Sequence, residues 1–159
     1  MIPVAPQPEP ATFDAKVRQP GLSFLAIRIE EVTGSATADH FAAKSKSRAG
    51  LAYEWSNYRL VCGTMNSRKQ AFADVLDPFT LTPDTFVLDL TTAKLAPNPL
   101  LVDKRAANAT INRLRLNGPD LVRVRGDYWT AYVKKDISVG YLKRSAPFVW
   151  YEANRQGLL

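Results

Sequence analysis

The side chains best suited to chemistry lie between residues 39 and 69. Asp39 and His40 are adjacent, and Asn66 and Lys69 follow Asn57 by nine and twelve residues. Hydrolysis of a phosphodiester needs a base to activate water, a cation to neutralise charge on the phosphate, and a fixed geometry for both. The set contains residue types that can act as a base and as oxygen ligands of a cation. This set of residues could therefore carry out that reaction.

Each of these residues also has a purely structural interpretation. His40 is the only histidine of the chain, and a lone histidine is more often structural than catalytic. Asn57 and Asn66 could be turn or helix-cap residues, the usual roles of asparagine outside active sites. The residue types alone leave both interpretations open.

Two short strands and a helix are predicted to position these side chains. The run ATADHF, residues 36–41, predicts an extended segment that ends near Asp39 and His40. NYRLVC, residues 57–62, predicts a second strand, and Thr64 is predicted to cap the helix that follows it. Because neighbouring residues of a strand point to opposite faces, Asp39 and His40 can share a pocket only at a twisted strand end.

The rest of the sequence predicts an α+β fold in three parts. Residues 1–22 form a proline-rich arm, residues 23–80 hold the nuclease-like core with a first strand at SFLAIRIEE, and residues 81–159 are mainly helical after a strand at 86–90. The helices are predicted at residues 104–117, at 119–135, and from Pro147 to near Gly157, with Gly118 ending the first of them.

Composition limits the classes of protein that remain. The chain has 159 residues, 46% of them hydrophobic, which suits a folded protein of about one domain. A single cysteine, Cys62, excludes a disulfide within the chain and a four-cysteine zinc site. Without 18 consecutive apolar residues, the sequence predicts no membrane span, and we expect a cytoplasmic protein. The net charge of +6 favours partners that carry phosphates.

The runs ADHFAAKSKSRAG and YEWSNYRLVCGTMNSRKQ resemble the motif of HNH endonucleases in the variant that has asparagine at the third position. The resemblance implies a ββα-metal (His-Me finger) core in which Asp39 and Asn66 bind one Mg²⁺ or Mn²⁺ ion. His40 would then be the general base, and Asn57 the residue that holds the loop and the histidine in position. Lys69 corresponds to the frequent N-x-x-K ending of the motif.

The expected substrate is DNA, with RNA left open because no base-stacking platform or groove-reading helix can be recognised. Six basic residues near the motif are expected to contact the phosphate backbone: Lys44, Lys46, Arg48, Arg59, Arg68 and Lys69. Four arginines of the predicted helices could contact nucleic acid or only keep the helices soluble: Arg113, Arg115, Arg123 and Arg125.

The opening PVAPQPEPATFDAKVRQPG, the segment VLDPF, and the later INRLRLN and LKRSAPF resemble a bacterial HNH group found with antiviral defence systems, including retron-associated and Septu-type proteins. Members of that group usually occur with an ATPase, and they carry a longer stretch before the first strand. The resemblance implies a metal-dependent endonuclease in antiviral defence. Two alternatives remain: a nucleic-acid-binding module that no longer cleaves, and a subunit whose helical third docks an ATPase.

Overall fold

The computed structural model describes residues 36–42, 54–72, 74–78, 81–101 and 103–159. The predicted proline-rich arm, the predicted strand at residues 23–31 and most of the basic loop at residues 42–50 lie outside these ranges. The described elements are, in chain order, β1 (Ala36–His40), a 3₁₀ turn (Trp55–Asn57), β2 (Tyr58–Cys62), α1 (Gly63–Lys69), a 3₁₀ turn (Pro83–Thr85), β3 (Phe86–Asp89), β4 (Lys94–Pro97), α2 (Arg105–Leu114), α3 (Pro119–Val133), α4 (Val139–Ser145) and α5 (Pro147–Arg155). The fold is α+β.

The first unit is an antiparallel hairpin followed directly by a helix. β1 pairs with β2 in a register that sets Asp39 opposite Arg59 and His40 opposite Tyr58. Both strands and the helix were predicted, and the structure confirms them. The predicted cap is wrong, because Cys62 is the N-cap residue and Thr64 lies inside the helix.

The second hairpin, β3–β4, was predicted only in part. The alternation of Phe86 and Leu88, both buried, predicted β3. β4 was missed because only Leu95 of its four residues is buried and because it ends at Pro97, a residue that is rare inside strands. Proline fits here because β4 lies at an edge of a two-stranded sheet, where no further strand needs its N–H.

The helices α2, α3 and α5 were predicted, but α2 ends earlier than expected. The expected terminator, Gly118, is instead the N-cap residue of α3. α2 ends because Arg115 takes the left-handed conformation (φ 51°), and the Leu116 N–H then donates to the Ile111 carbonyl. This conformation costs a non-glycine residue about 1–2 kcal/mol. Burial of Leu116, which is 0% exposed, offsets that cost, since burying a leucine contributes about 1.5–3 kcal/mol.

The short helix α4 was missed in the sequence. Leu142 is its only buried apolar side chain, and Gly140 within it disfavours a helix. Its start carried a local signal, because Ser138 is the N-cap and its hydroxyl accepts from the Tyr141 N–H at 3.2 Å.

A single apolar core joins the elements on both sides of residue 80. It includes Met65 of α1, Leu88 of β3 and Leu114 of α2, as well as Val149 of α5. Cys62 is buried in this core, as expected. Among the described residues, no helix combines the length and the apolar character needed to cross a membrane.

The positively charged side chain of Arg125 lies within this core. The guanidinium of Arg125 on α3 is 1% exposed and donates to the carbonyls of Ala93, at 3.0 Å, and Leu116, at 2.8 Å. Burial lowers the pKa of Arg125 to about 10, so that it remains charged near neutral pH. Arg125 therefore ties the β3–β4 turn to the end of α2. It is not available as a nucleic-acid contact, one of the two roles considered for it.

Candidate functional site

Asp39 lies on the face of β1 that packs against α1. Its side chain is 8% exposed, and the Lys69 ammonium nitrogen lies 2.9 Å from Asp39 Oδ2. This oxygen is buried and accepts no hydrogen bond from the described residues, so its contact with Lys69 is an ion pair without a directed bond. The carboxylate thus keeps an oxygen lone pair unused.

Asn66 lies one helical turn before Lys69 on α1 and contacts the same face of β1. Its Nδ2 atom donates to the Thr37 hydroxyl at 3.4 Å, and that hydroxyl donates to the Val61 carbonyl at 3.1 Å. Thr37 and Asp39 are two residues apart and therefore point to the same side of the strand. The structure thus brings the predicted ligands Asp39 and Asn66 to one surface, between β1 and α1.

His40 is the last residue of β1 and packs on the other side of the strand. Its ring lies 4.4 Å from the ring of Tyr58, its cross-strand partner, and Tyr58 in turn lies 5.5 Å from the Trp55 ring. The imidazole is partly exposed. Because adjacent strand residues alternate, His40 and Asp39 flank the strand end from opposite faces. The lysine bridges them, since the Lys69 ammonium also donates to the His40 carbonyl at 3.1 Å.

Asn57 fixes the backbone immediately after His40. Its side chain brackets one residue, accepting from the Ala42 N–H at 2.7 Å and donating to the Ala42 carbonyl at 3.1 Å. Its own carbonyl accepts from the Phe41 N–H at 2.9 Å. Asn57 is 6% exposed. Asn57 therefore ends a 3₁₀ turn and, with its side chain, also fixes the chain that follows β1.

Two of the six predicted phosphate contacts lie inside the protein. Arg59 forms a bidentate ion pair with Asp77, with Nε donating to Oδ1 at 2.6 Å, and its side chain is 8% exposed. Lys69 is held by Asp39 and is 3% exposed. Arg59 and Lys69 are therefore engaged in structural ion pairs and do not present their charges to a ligand in this conformation.

The remaining predicted contacts divide into two groups. Arg68 is partly buried, and its Nη1 donates to the Leu114 carbonyl at 3.0 Å, which links α1 to the end of α2. The basic loop residues lie outside the described residues: Lys44, Lys46 and Arg48.

Sequence reasoning missed three residues that shape this site. Thr37 orients Asn66, Asp77 neutralises Arg59, and the Phe41 ring lies between two cations, 5.3 Å from the Arg59 guanidinium carbon and 5.5 Å from the Lys69 nitrogen. Thr37 could have been found, because it lies two residues before Asp39 and so shares its face. No sequence pattern near Asp77 or Phe41 indicates which basic residues they contact.

The donor atoms suit a hard divalent cation. A carboxylate and an amide oxygen are ligands of Mg²⁺ and Mn²⁺, and water or phosphate oxygens usually complete such a site. In the part of the chain that the structure describes, no three His, Cys, Asp or Glu side chains converge as a metal site, so protein ligands alone would not fill the coordination sphere. The buried Oδ2 of Asp39 already faces a cation, the Lys69 ammonium. The residues present therefore fit such an ion.

Comparison with known proteins gives no relative: no family model, no curated protein and no solved structure matches this chain. The assignment of function consequently depends on the site itself.

Proposed function

We propose that this chain is a metal-dependent HNH endonuclease that hydrolyses DNA phosphodiester bonds, with a role in bacterial antiviral defence. The observation that carries the proposal is the bracketing of Ala42 by Asn57, directly after the Asp39–His40 pair. Asn117 brackets Leu95 in the same way, so the bracket by itself is not a catalytic feature. Its place, on the residue two after His40, is what supports a positioning role for Asn57.

Support also comes from the order of elements. The sequence motif lies on a hairpin, β1–β2, that leads without a linker into α1, and Asn66 of α1 packs beside the strand of Asp39. This is the arrangement expected of a ββα-metal core. The Asp39–Lys69 ion pair adds that this carboxylate already lies against a cation.

In the proposed reaction, His40 accepts a proton from the attacking water as the general base. Because His40 and Asp39 flank the strand from opposite faces, the phosphate would have to bind at the end of β1, where both side chains can be reached. Asn57 would hold the backbone after His40 in place there. Asp39 and Asn66 would hold a divalent ion, which supplies neutralisation of the charge that develops on the phosphate oxygens. Arg68 and the basic loop at residues 44–48 would contact flanking phosphates, which makes binding weaker at high salt.

The test is a plasmid-nicking assay with Mg²⁺, comparing the wild-type protein with His40→Ala and Asp39→Asn. Removal of a general base lowers rates by about 10²–10⁴-fold, and we expect a loss in this range for His40→Ala. Asp103→Asn is a control for the carboxylate change, because Asp103 is exposed, accepts from the Arg105 N–H at 2.8 Å and lies 4.0 Å from the Arg105 side-chain nitrogen, away from the site. Equal nicking by the wild-type and His40→Ala proteins would exclude catalysis, and a single-stranded RNA substrate in parallel separates RNA from DNA cleavage.

A second candidate, a docking subunit for an ATPase, is favoured by the helical third. A cavity of about 710 Å³ lies between the end of α3 and the start of α4, lined by apolar side chains that include Trp129, Tyr132 and Ile137. Val133 and Leu158 border the same cavity and are 59% and 50% exposed. Exposed apolar surface of this kind is typical of interaction sites. Size-exclusion chromatography with a candidate ATPase, using Val133→Asp to disrupt the surface, tests this role.

A further inference from the structure

Lys69 holds its charge where a metal ion would be expected. Its ammonium nitrogen lies 2.9 Å from Asp39 Oδ2 and 3.1 Å from the His40 carbonyl oxygen. It also lies 5.5 Å from the centre of the Phe41 ring. Three consecutive residues at the end of β1 thus surround one cation that is covalently tethered to α1.

We propose that Lys69 is a built-in competitor of the divalent ion, which occupies Asp39 in the metal-free protein and must leave before the ion can bind. This inference rests on the proposed function, because it takes Asp39 as a metal ligand. It assigns Lys69 a role different from the phosphate contact expected from the sequence.

Burial makes the two cations mutually exclusive. Asp39 Oδ2 is covered in the structure, and Lys69 is its only ion-pair partner among the described residues. A Mg²⁺ ion must approach a carboxylate oxygen to about 2.1 Å. An ammonium group that stays at 2.9 Å from the same oxygen would lie against the incoming ion and repel it. The ion can therefore reach this oxygen only when the ammonium withdraws.

The structure also explains why a lysine lies beside Asp39 and how its ammonium group could move away. Without a counter-charge, the buried carboxylate of Asp39 would destabilise the metal-free fold. Lys69 is the last residue of α1, and the next residue, Gln70, departs from the helix with φ 49°. A flexible four-carbon side chain at a helix end can swing outward without breaking helical hydrogen bonds. Lys69 thus stabilises the metal-free state and gives way to a stronger cation.

The first test is isothermal titration calorimetry of Mn²⁺ binding to the full chain. We expect Lys69→Met to bind Mn²⁺ about tenfold or more tightly than the wild type, since the competing charge is gone. Lys143→Met is the matched control, because Lys143 also lies over an aromatic ring, that of Trp150 at 4.2 Å, but in another part of the fold. Its affinity should equal that of the wild type. Asp39→Asn should lose binding.

The second test uses the wild-type protein and does not depend on the folding of any variant. Brief acetylation with acetic anhydride, followed by peptide mass spectrometry, reports how accessible each lysine amine is. Lys69 should be protected without metal and be modified several-fold faster in saturating Mg²⁺, whereas Lys143 should react equally in both conditions.

The outcomes separate the two hypotheses. If the wild type binds Mn²⁺ and Asp39→Asn does not, the metal site stands. Unchanged affinity in Lys69→Met, or Lys69 labelling that Mg²⁺ does not alter, would then overturn the competitor role alone. If the wild type binds no Mn²⁺, or binds it as Asp39→Asn does, both the metal site and the competitor role are refuted. Should Lys69→Met not fold, the labelling experiment decides.

Discussion

Substitution of Asn57 by alanine should separate positioning of the site from stability of the fold. The change removes two hydrogen bonds, from the Ala42 N–H at 2.7 Å and to the Ala42 carbonyl at 3.1 Å. A hydrogen bond contributes about 1 kcal/mol net, and a covered backbone group left without a partner costs about 1–3 kcal/mol. We therefore expect Asn57→Ala to lower the free energy of unfolding by about 2–4 kcal/mol.

The chain contains a matched control for this change. The Asn117 side chain brackets the backbone of Leu95 in the same way, accepting from its N–H and donating to its carbonyl, both at 2.8 Å. Asn117→Ala should therefore destabilise the fold by at least this amount, because Asn117 Oδ1 also accepts from the buried Arg125 guanidinium at 3.5 Å. For a chain of this size, a loss of 2–4 kcal/mol lowers Tm by about 4–16 °C, measured by circular dichroism.

The two variants should differ in activity. Release of the chain after His40 should lower the nicking rate of Asn57→Ala about a hundredfold, because small displacements of reacting groups have effects of this size. Asn117→Ala should nick at the wild-type rate once rates are normalised to the folded fraction at a temperature below both transitions. Equal normalised rates for the two variants would refute the positioning role of Asn57 and leave it as a structural clamp.

Two further predictions concern ion pairs and titration. Arg59→Ala removes the bidentate ion pair with Asp77 from a largely buried position and should cost about 3–5 kcal/mol. Arg113→Ala removes a half-exposed ion pair and a contact with an aromatic ring, and it should cost only about 1–2 kcal/mol. Both losses are measured by urea denaturation. Equal losses for the two variants would contradict the burial of the Arg59–Asp77 pair. Hydrogen bonds lower the pKa of Asp89 below its ordinary value of 3.8, and the largest effect comes from the Thr92 hydroxyl. The ionised Asp89 therefore stabilises the fold fully above pH 3.8. This contribution disappears as the pH falls through the lowered pKa. NMR titration should show this midpoint move back up in Thr92→Val, and an unchanged midpoint would show that the hydroxyl has no such effect.

Much of the first unit could be predicted from local patterns. Alternating side chains in β1 and β2 and the residues that follow Gly63 were enough to predict two strands and a helix, and thereby to bring Asp39 near Asn66. Such predictions work when the signal lies within a few neighbouring residues. They failed for β4 and α4, each of which buries a single apolar side chain and contains a proline or a glycine that opposes the element.

The environment of the basic residues could not be predicted. Arg59 and Lys69 look like surface cations in the sequence, yet each is buried against a carboxylate distant in the chain, Asp77 and Asp39. Whether such a side chain meets solvent or a counter-ion is decided by tertiary packing, which periodicity does not report. The same is true of Arg125, whose partners are backbone carbonyls of a turn and a helix end.

The continuity of the apolar core has a consequence for modularity. Met65 of α1 lies in one cluster with Leu114 and Leu116, and Arg68 donates to the Leu114 carbonyl. The β1–β2 hairpin and α1 therefore do not form a unit that is stable without the rest of the core. Grafted onto another scaffold, they would retain their motif but need a complementary apolar face and a backbone acceptor from the new host.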